Sequence, residues 1–249
     1  MTGTESGLKF SVRANWVPIY INEKLIAGRV MPLHRMEERL FNKFDDRGMK
    51  TLQEFYHSRY GIHADHEDKR LTAVQFLKKN HFVSHAIAIS YDKTVILLGY
   101  SIFQYHVTEK NPRWGVYVDY LTALPVNYPG NIKLAYLGKY RGDDTFYKVR
   151  GVGKATIAMA CDYAITMHPG RNKSDIAVEL TARSDESLIR DRYVKDYGLE
   201  FHPGKRGKGN DLFFTFEKAA KFLKSYESEY RKLERPEGNG LTYKDPFKY

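Results

Sequence analysis

Residues 147–164 read YKVRGVGKATIAMACDYA: two glycines one residue apart, a lysine, an alanine, and then a run that is apolar on almost every side. From Ala155 onward, Ile157, Ala160, Cys161 and Ala164 form one helical stripe, while Ala158, Met159 and Ile165 make the other face apolar too. Such a helix is expected to be packed all round, which fixes its N-terminus. A turn with little side-chain bulk, opening a helix whose first N–H groups have no internal partner, makes an anion seat suited to a pyrophosphate. Lys154 and Arg150 add positive charge beside it. A tight strand-to-helix turn with no ligand would use the same residues, so this stretch alone leaves both readings standing.

Spacing removes the two common nucleotide motifs. A Walker A loop requires a glycine five positions before the Gly-Lys pair and a hydroxyl residue after it, where this chain has Lys148 and Ala155. A dinucleotide fingerprint requires a third glycine where Thr156 stands.

The rest of the chain supplies the frame. The pattern is α+β, with no internal repeat. Residues 8–14 (LKFSVRA) alternate like a strand; spacings of three and four suggest two short helices within 35–58 and another over 71–78. Three strand-like runs follow at 85–91, 94–107 and 114–124, forming a meander, and after the glycine-turn helix come strand 175–182, helix 185–197, strand-like 199–201, the basic loop PGKRGKGN (203–210) and strand 212–216. A helix over 217–235 carries Ala219, Phe222, Leu223, Tyr226, Tyr230 and Leu233 on one stripe, which suits docking on its own domain or on a second copy. The final YKDPFKY reads as a surface tail.

Composition bounds the function classes. Of 249 residues, 42% are apolar and 14% aromatic, enough for a substantial core. The single cysteine, Cys161, excludes an intramolecular disulfide and argues against a thiolate metal site. The opening MTGTESGLKF lacks a basic segment leading into an apolar run, and no stretch is apolar for long enough to span a bilayer, so the expectation is a cytoplasmic protein with no membrane partner. A formal net charge of +10 draws anions such as nucleic acid, acidic proteins or phosphorylated cofactors, although it also serves solubility alone.

The order of strand 114–124, glycine turn, helix, strand 175–182, helix and YGLEF resembles the GNAT superfamily of acyl-CoA-dependent N-acetyltransferases. That family's signature is Gln or Arg, two residues, Gly, one residue, Gly or Ala, then a basic and a small residue. Lys148-Val149-Arg150-Gly151-Val152-Gly153-Lys154-Ala155 is similar to it, with Lys148 in the Gln/Arg place. VDYLTALP (118–125) looks like the family's fourth strand and ELTARSDESLIRDRYVKDYGLEF (179–201) like its fifth strand and following helix. The likeness covers about residues 84–216.

The resemblance implies a fold, a reaction and a site. The fold is an α/β (α+β) domain with a mixed, mostly antiparallel central sheet flanked by helices, an enlarged N-terminal part and a C-terminal helix. Residues 1–80 would lie on the substrate side of the same domain, 81–216 would form the acyl-CoA-binding core with an insertion at 127–147, and 217–249 would be the C-terminal helix and tail. Acetyl-CoA would be the co-substrate and a primary amine the acceptor, joined by direct attack. Backbone N–H groups of Arg150, Gly151, Val152, Gly153, Lys154 and Ala155 would hold the pyrophosphate. Leu121, Thr122 and Ala123 would pair with the pantetheine arm and polarise the thioester carbonyl. Asp119 stands where many members have a general base, and Tyr193 near where they have the tyrosine that protonates the departing thiolate. The acceptor's size stays open, an acidic protein or an RNA-linked amine among the choices, as does monomer against homodimer. A basic nucleic-acid-binding or acyl-CoA-binding module of the same fold without catalysis is the competing reading.

Two departures stand out. NYPGNIKLAYLGKYRGDDTFY (127–147) replaces a short connection, as a hairpin over the substrate mouth or as surface elaboration. The family's tyrosine precedes the glycine by four residues, where this chain has Val194, whereas Tyr193 precedes Gly198 by five. One extra residue near the helix end restores the register. Otherwise Tyr193 only packs, and Tyr197 or a water serves as the donor.

Other chemistry is less supported. His57, His63, Asp65 and His66 lack helical ligand spacing and read as surface histidines. Cys161 reads as a buried, inert thiol. Ser184 and Ser187 have no base partner for a hydrolase triad. The loop 203–208 is a candidate phosphate contact, for RNA or for the coenzyme's 3′-phosphate.

Overall fold

The computed structural model describes residues 9–21, 23–32, 82–91, 94–104, 115–123, 126–127, 146–147, 149–182, 189–202 and 210–234, some strand positions by backbone alone. The expected helices within 35–58 and 71–78, the His57–His66 group, Ser184, Ser187 and the loop 203–208 lie outside these residues.

The first strands differ from expectation. Residues 9–14 of LKFSVRA do not form a strand: Phe10 turns inward, 3% exposed, and Ala14 closes a turn onto the carbonyl of Ser11. The hairpin comes next, with β1 (Trp16–Ile21) antiparallel to β2 (Lys24–Pro32) and Ile21 opposite Lys24. Its turn holds Glu23 at φ 64, a left-handed conformation with no glycine to advertise it.

The expected meander is present as β3 (Phe82–Tyr91), β4 (Thr94–Gln104) and β5 (Val116–Ala123), each antiparallel to its neighbour. β6 (Val126–Asn127) pairs β7 (Phe146–Tyr147), so the insertion leaves and returns at one place. Then come β8 (Val149–Arg150), helix α1 (Val152–Met167), β9 (Ile176–Thr181), a π-helix (Ile189–Asp196), β10 (Glu200–Phe201), β11 (Asp211–Thr215) and helix α2 (Phe216–Tyr230), extended by a 3-10 turn over Arg231–Glu234. One nine-stranded sheet runs β10-β11-β9-β5-β4-β3-β2-β1-β8. It is mostly antiparallel, with β5 and β9 parallel among the described strands. The architecture is mixed α+β. No helix among the described residues is long and apolar enough to cross a membrane.

Bulges bend the sheet. In β4, Leu98 is the extra residue between the pairs Ile87–Gly99 and Ala88–Leu97; in β5 it is Asp119, between Phe103–Val118 and Ile102–Tyr120. The curvature brings both β1 and β5 to the start of α1, although three strands separate them in the sheet. α1 lies on this face with Val152, Ala155 to Cys161 and Ala164 all buried, the all-round packing its composition predicts. α2 covers α1 with Phe216, Ala219, Phe222, Tyr226 and Tyr230, and its N-cap Thr215 accepts a hydrogen bond from the Lys218 N–H. Cys161 is fully buried, and burial raises its pKa well above the ordinary value, so it stays an inert thiol.

Candidate functional site

The two glycines of the opening turn have different physical reasons. Gly151 caps α1 at φ 100, ψ −22, and a Cβ built there would lie 2.8 Å from the Pro18 carbonyl oxygen. β8 pins the residues before it to β1, with Tyr20 opposite Arg150, so the chain can enter the helix only through this conformation. Gly153 is not demanded in this way. A Cβ there would sit 3.4 Å from the Tyr197 hydroxyl and 3.9 Å from Cδ2 of Leu121, ordinary contacts. The fold would tolerate a methyl group, and its absence leaves the first turn open to close approach by a ligand.

The donors are fewer than expected. The Ala155 N–H already bonds the Gly151 carbonyl at 2.8 Å, the first bond of the helix, which leaves Val152, Gly153 and Lys154 as the N–H groups without an intrahelical carbonyl. The two flanking cations are also engaged. Lys154 pairs with Glu229 of α2, and the Arg150 guanidinium lies 3.3 Å from a Glu23 carboxylate oxygen. Neither adds an uncompensated charge to the turn. An anion held at this turn would rest on backbone donors and the helix dipole.

Opposite this turn lies the fork where the described β5–β9 ladder ends. β5 pairs with β9 only over Val116–Val118 against Val178–Leu180, while Leu121, Thr122 and Ala123 continue to pair with Ser101, Tyr100 and Gly99 of β4. At the closed end, a Cβ on Gly115 would fall 2.0 Å from the Ala177 carbonyl oxygen, so only glycine lets the strands approach there. Past Val118 the ladder to β9 stops, and the peptide groups of Leu121 to Ala123 that face β9 have no partner in that ladder. A bound extended chain could take its place. Asp119, the bulge residue, sits at the fork's base; its backbone is described, but not its side chain.

Tyr197 faces this fork. Its hydroxyl lies beside Gly153, and its ring packs edge-on against Tyr193 (centroids 5.9 Å) and Phe222 (6.0 Å). The mismatch at Tyr193 has a structural counterpart, because the segment is a π-helix whose i→i+5 bonds, such as Tyr197 N–H to the Arg192 carbonyl at 3.1 Å, hold one more residue per ring. Gly198, at φ 81, ends it. Burial pushes the Tyr197 hydroxyl up to about 12 despite the nearby Arg192, so it is a proton-bearing donor at neutral pH. Burial raises Tyr193 as well, and that ring packs against the core.

A polar row on the other face of β9 went unnoticed in the sequence. Glu179 is 9% exposed, with its Oε1 4.0 Å from Nε2 of His202, and the β5 residue in register with it is Tyr117. One step toward the fork, Thr181 shares a 3.2 Å hydrogen bond with the Tyr117 hydroxyl and donates to Asp211 at 2.6 Å. Val178 and Leu180, of opposite parity, enter the core beside α1. The signal was a lone glutamate inside the apolar run of DIAVELTA.

The chain matches no protein-family model, and no curated protein is detectably similar to it.

Proposed function

We propose that the protein is an acyl-CoA-dependent N-acyltransferase of the GNAT type that moves an acetyl group from acetyl-CoA to a primary amine. The observation that carries this reading is the convergence of the open Gly153 turn, Leu121 on the arm of β5 beyond its pairing with β9, and the Tyr197 hydroxyl at one point. Leu121 to Ala123, which the resemblance assigns to the pantetheine arm, lie just past the parallel β5–β9 pairing.

In this reading the Val152, Gly153 and Lys154 N–H groups hold the pyrophosphate, and a backbone N–H on the Leu121–Ala123 arm polarises the thioester carbonyl. The attacking ammonium must first lose a proton, and the candidates for base are Asp119 at the fork and Glu179 with His202 on the face away from α1. Tyr197 serves the leaving sulfur. A free thiol titrates near 8.5, so full transfer from a hydroxyl at about 12 is uphill by roughly 5 kcal/mol. Its part is therefore to donate a hydrogen bond to the developing thiolate.

Calorimetric titration with acetyl-CoA tests the reading, using wild type and Gly153→Glu. Binding by the first and loss in the second, with both melting cooperatively, is the expected result. Absence of binding to the folded wild-type protein, or equal binding by both, would overturn it. A binding module without turnover predicts intact affinity but no thiol release with any amine. Labelled acetyl-CoA incubated with cell extract and read by mass spectrometry separates these cases.

A further inference from the structure

A cavity lies at the end of α1 away from the glycine turn, about 24 Å along the helix at 1.5 Å per residue over its 16 residues. It has a volume of about 500 Å³, within the range of small-ligand sites. Its walls are the loop after α1 and the first turns of α2. Four cationic side chains line it, Arg171, Lys173, Lys221 and Lys224, against one carboxylate, Glu217, which Lys221 already engages at 2.8 Å. Cations near the C-terminus of α1 offset that helix's dipole whichever element carries them, and a half-charge at one helix end is small against four cationic side chains.

The floor is apolar: Ile165, Pro169 and Phe216. His168 also lines the cavity, and its Nε2 is a buried atom with no hydrogen-bond partner among the described residues. The start of α2 offers no backbone donors, because the Phe216 and Glu217 N–H groups bond the carbonyls of Asp175 and Lys173, and the Lys218 N–H bonds Thr215. On the α2 side a ligand is held by side chains. Inorganic phosphate has no use for the apolar floor, and a fatty acid has no use for four cations. An anion of more than one charge with a flat, weakly polar body fits both.

We propose that this cavity binds a nucleotide, its phosphate among Arg171, Lys173, Lys221 and Lys224 and its base over the floor formed by Pro169 and Phe216. The site is independent of the acyl-transfer reading. The nucleotide could be free or part of a single strand, and the same contacts serve either.

The test uses the full chain, with adenosine monophosphate and inorganic phosphate titrated by calorimetry and a short fluorescein-labelled polyuridine followed by anisotropy. Lys173→Glu with Lys224→Glu is expected to weaken monophosphate and polyuridine binding by about tenfold or more, and to flatten the polyuridine log K against log salt slope by about 0.7 for each phosphate no longer neutralised. The same charge change at Lys24 and Arg29, exposed on the β1–β2 hairpin, should leave both affinities within about twofold of wild type after correction for net charge. Monophosphate binding should also survive Gly153→Glu, which blocks the other end of α1. Polyuridine binding far tighter than the monophosphate identifies a strand as the ligand; equal affinities identify a free nucleotide. The proposal is overturned if neither binds, if both double variants weaken binding equally, if inorganic phosphate binds as well as the monophosphate, or if Gly153→Glu abolishes monophosphate binding.

Discussion

Gly151 and Gly153 sit two residues apart and predict opposite behaviour on substitution by alanine. At Gly151 the alanine would meet both a positive φ and a backbone oxygen 2.8 Å away, so Gly151→Ala should lower stability by about 1–3 kcal/mol in urea denaturation. At Gly153 the new methyl meets only ordinary contacts inside a helix, where replacing glycine gains up to about 1 kcal/mol. That variant should melt no lower than wild type yet bind acetyl-CoA at least about tenfold more weakly, because the methyl fills the ligand's approach. Wild-type affinity in Gly153→Ala would show that nothing comes close there. The tyrosines separate in the same way. Tyr197→Phe removes the hydroxyl beside Gly153 and should cut turnover by about a hundredfold with little change in acetyl-CoA affinity, whereas Tyr193→Phe should leave the rate within a few-fold. Single-turnover assays at saturating acetyl-CoA distinguish them, and the reverse ranking would restore Tyr193 as the donor.

Among the elements, those with strong periodicity were legible and those set by special backbone geometry were not. β3 to β5, α1 and α2 appear where their apolar patterns put them, because a strand or helix buried on a face must carry that period. The β1–β2 hairpin was missed because its turn takes a left-handed residue at Glu23 instead of glycine, and LKFSVRA was misread because Phe10 is an anchor rather than one beat of a strand. The π-helix was visible only as a tyrosine one position out of phase. The glycine turn before α1 was legible, but the strand geometry beside it, the bulge at Asp119 and the close approach at Gly115, is a fact about neighbouring strands that no local pattern encodes. Phe10 also yields a prediction at this scale. Its ring stands edge-on to Tyr226 (4.9 Å) and Tyr230 (5.3 Å), tying the N-terminal segment to α2. Phe10→Ala should cost about 3–5 kcal/mol and raise hydrogen exchange in the last turns of α2 more than in β3 or β4. Uniform exchange across both would mean that α2 is held without it.

Across the whole molecule, buried titratable groups bound the pH range in which this fold is stable. His85 lies in the core, 7% exposed, between Phe103 and Tyr163, with its Nδ1 unpartnered among the described residues. Burial lowers its pKa from 6.5 to about 4, so between those values the unfolded chain binds a proton that the folded chain refuses. Stability from this group is complete above pH 6.5 and falls as the pH drops toward 4, by about 3 kcal/mol in all. His168 is shifted in the same direction and adds to the loss. Asp162, raised by burial, works against it, since the folded state holds that proton more tightly and gains stability as acid is added. On the alkaline side Tyr197 and Tyr226, both raised by burial, keep their protons folded while an unfolded tyrosine loses its own near 10, so stability declines again above that pH. Urea midpoints measured from pH 4 to 8 should therefore drop on the acid side in wild type, and the drop should be much shallower in His85→Leu, which has no proton to take up and a comparable volume. Parallel curves for the two proteins would place the acid sensitivity elsewhere and remove His85 from the account of this core.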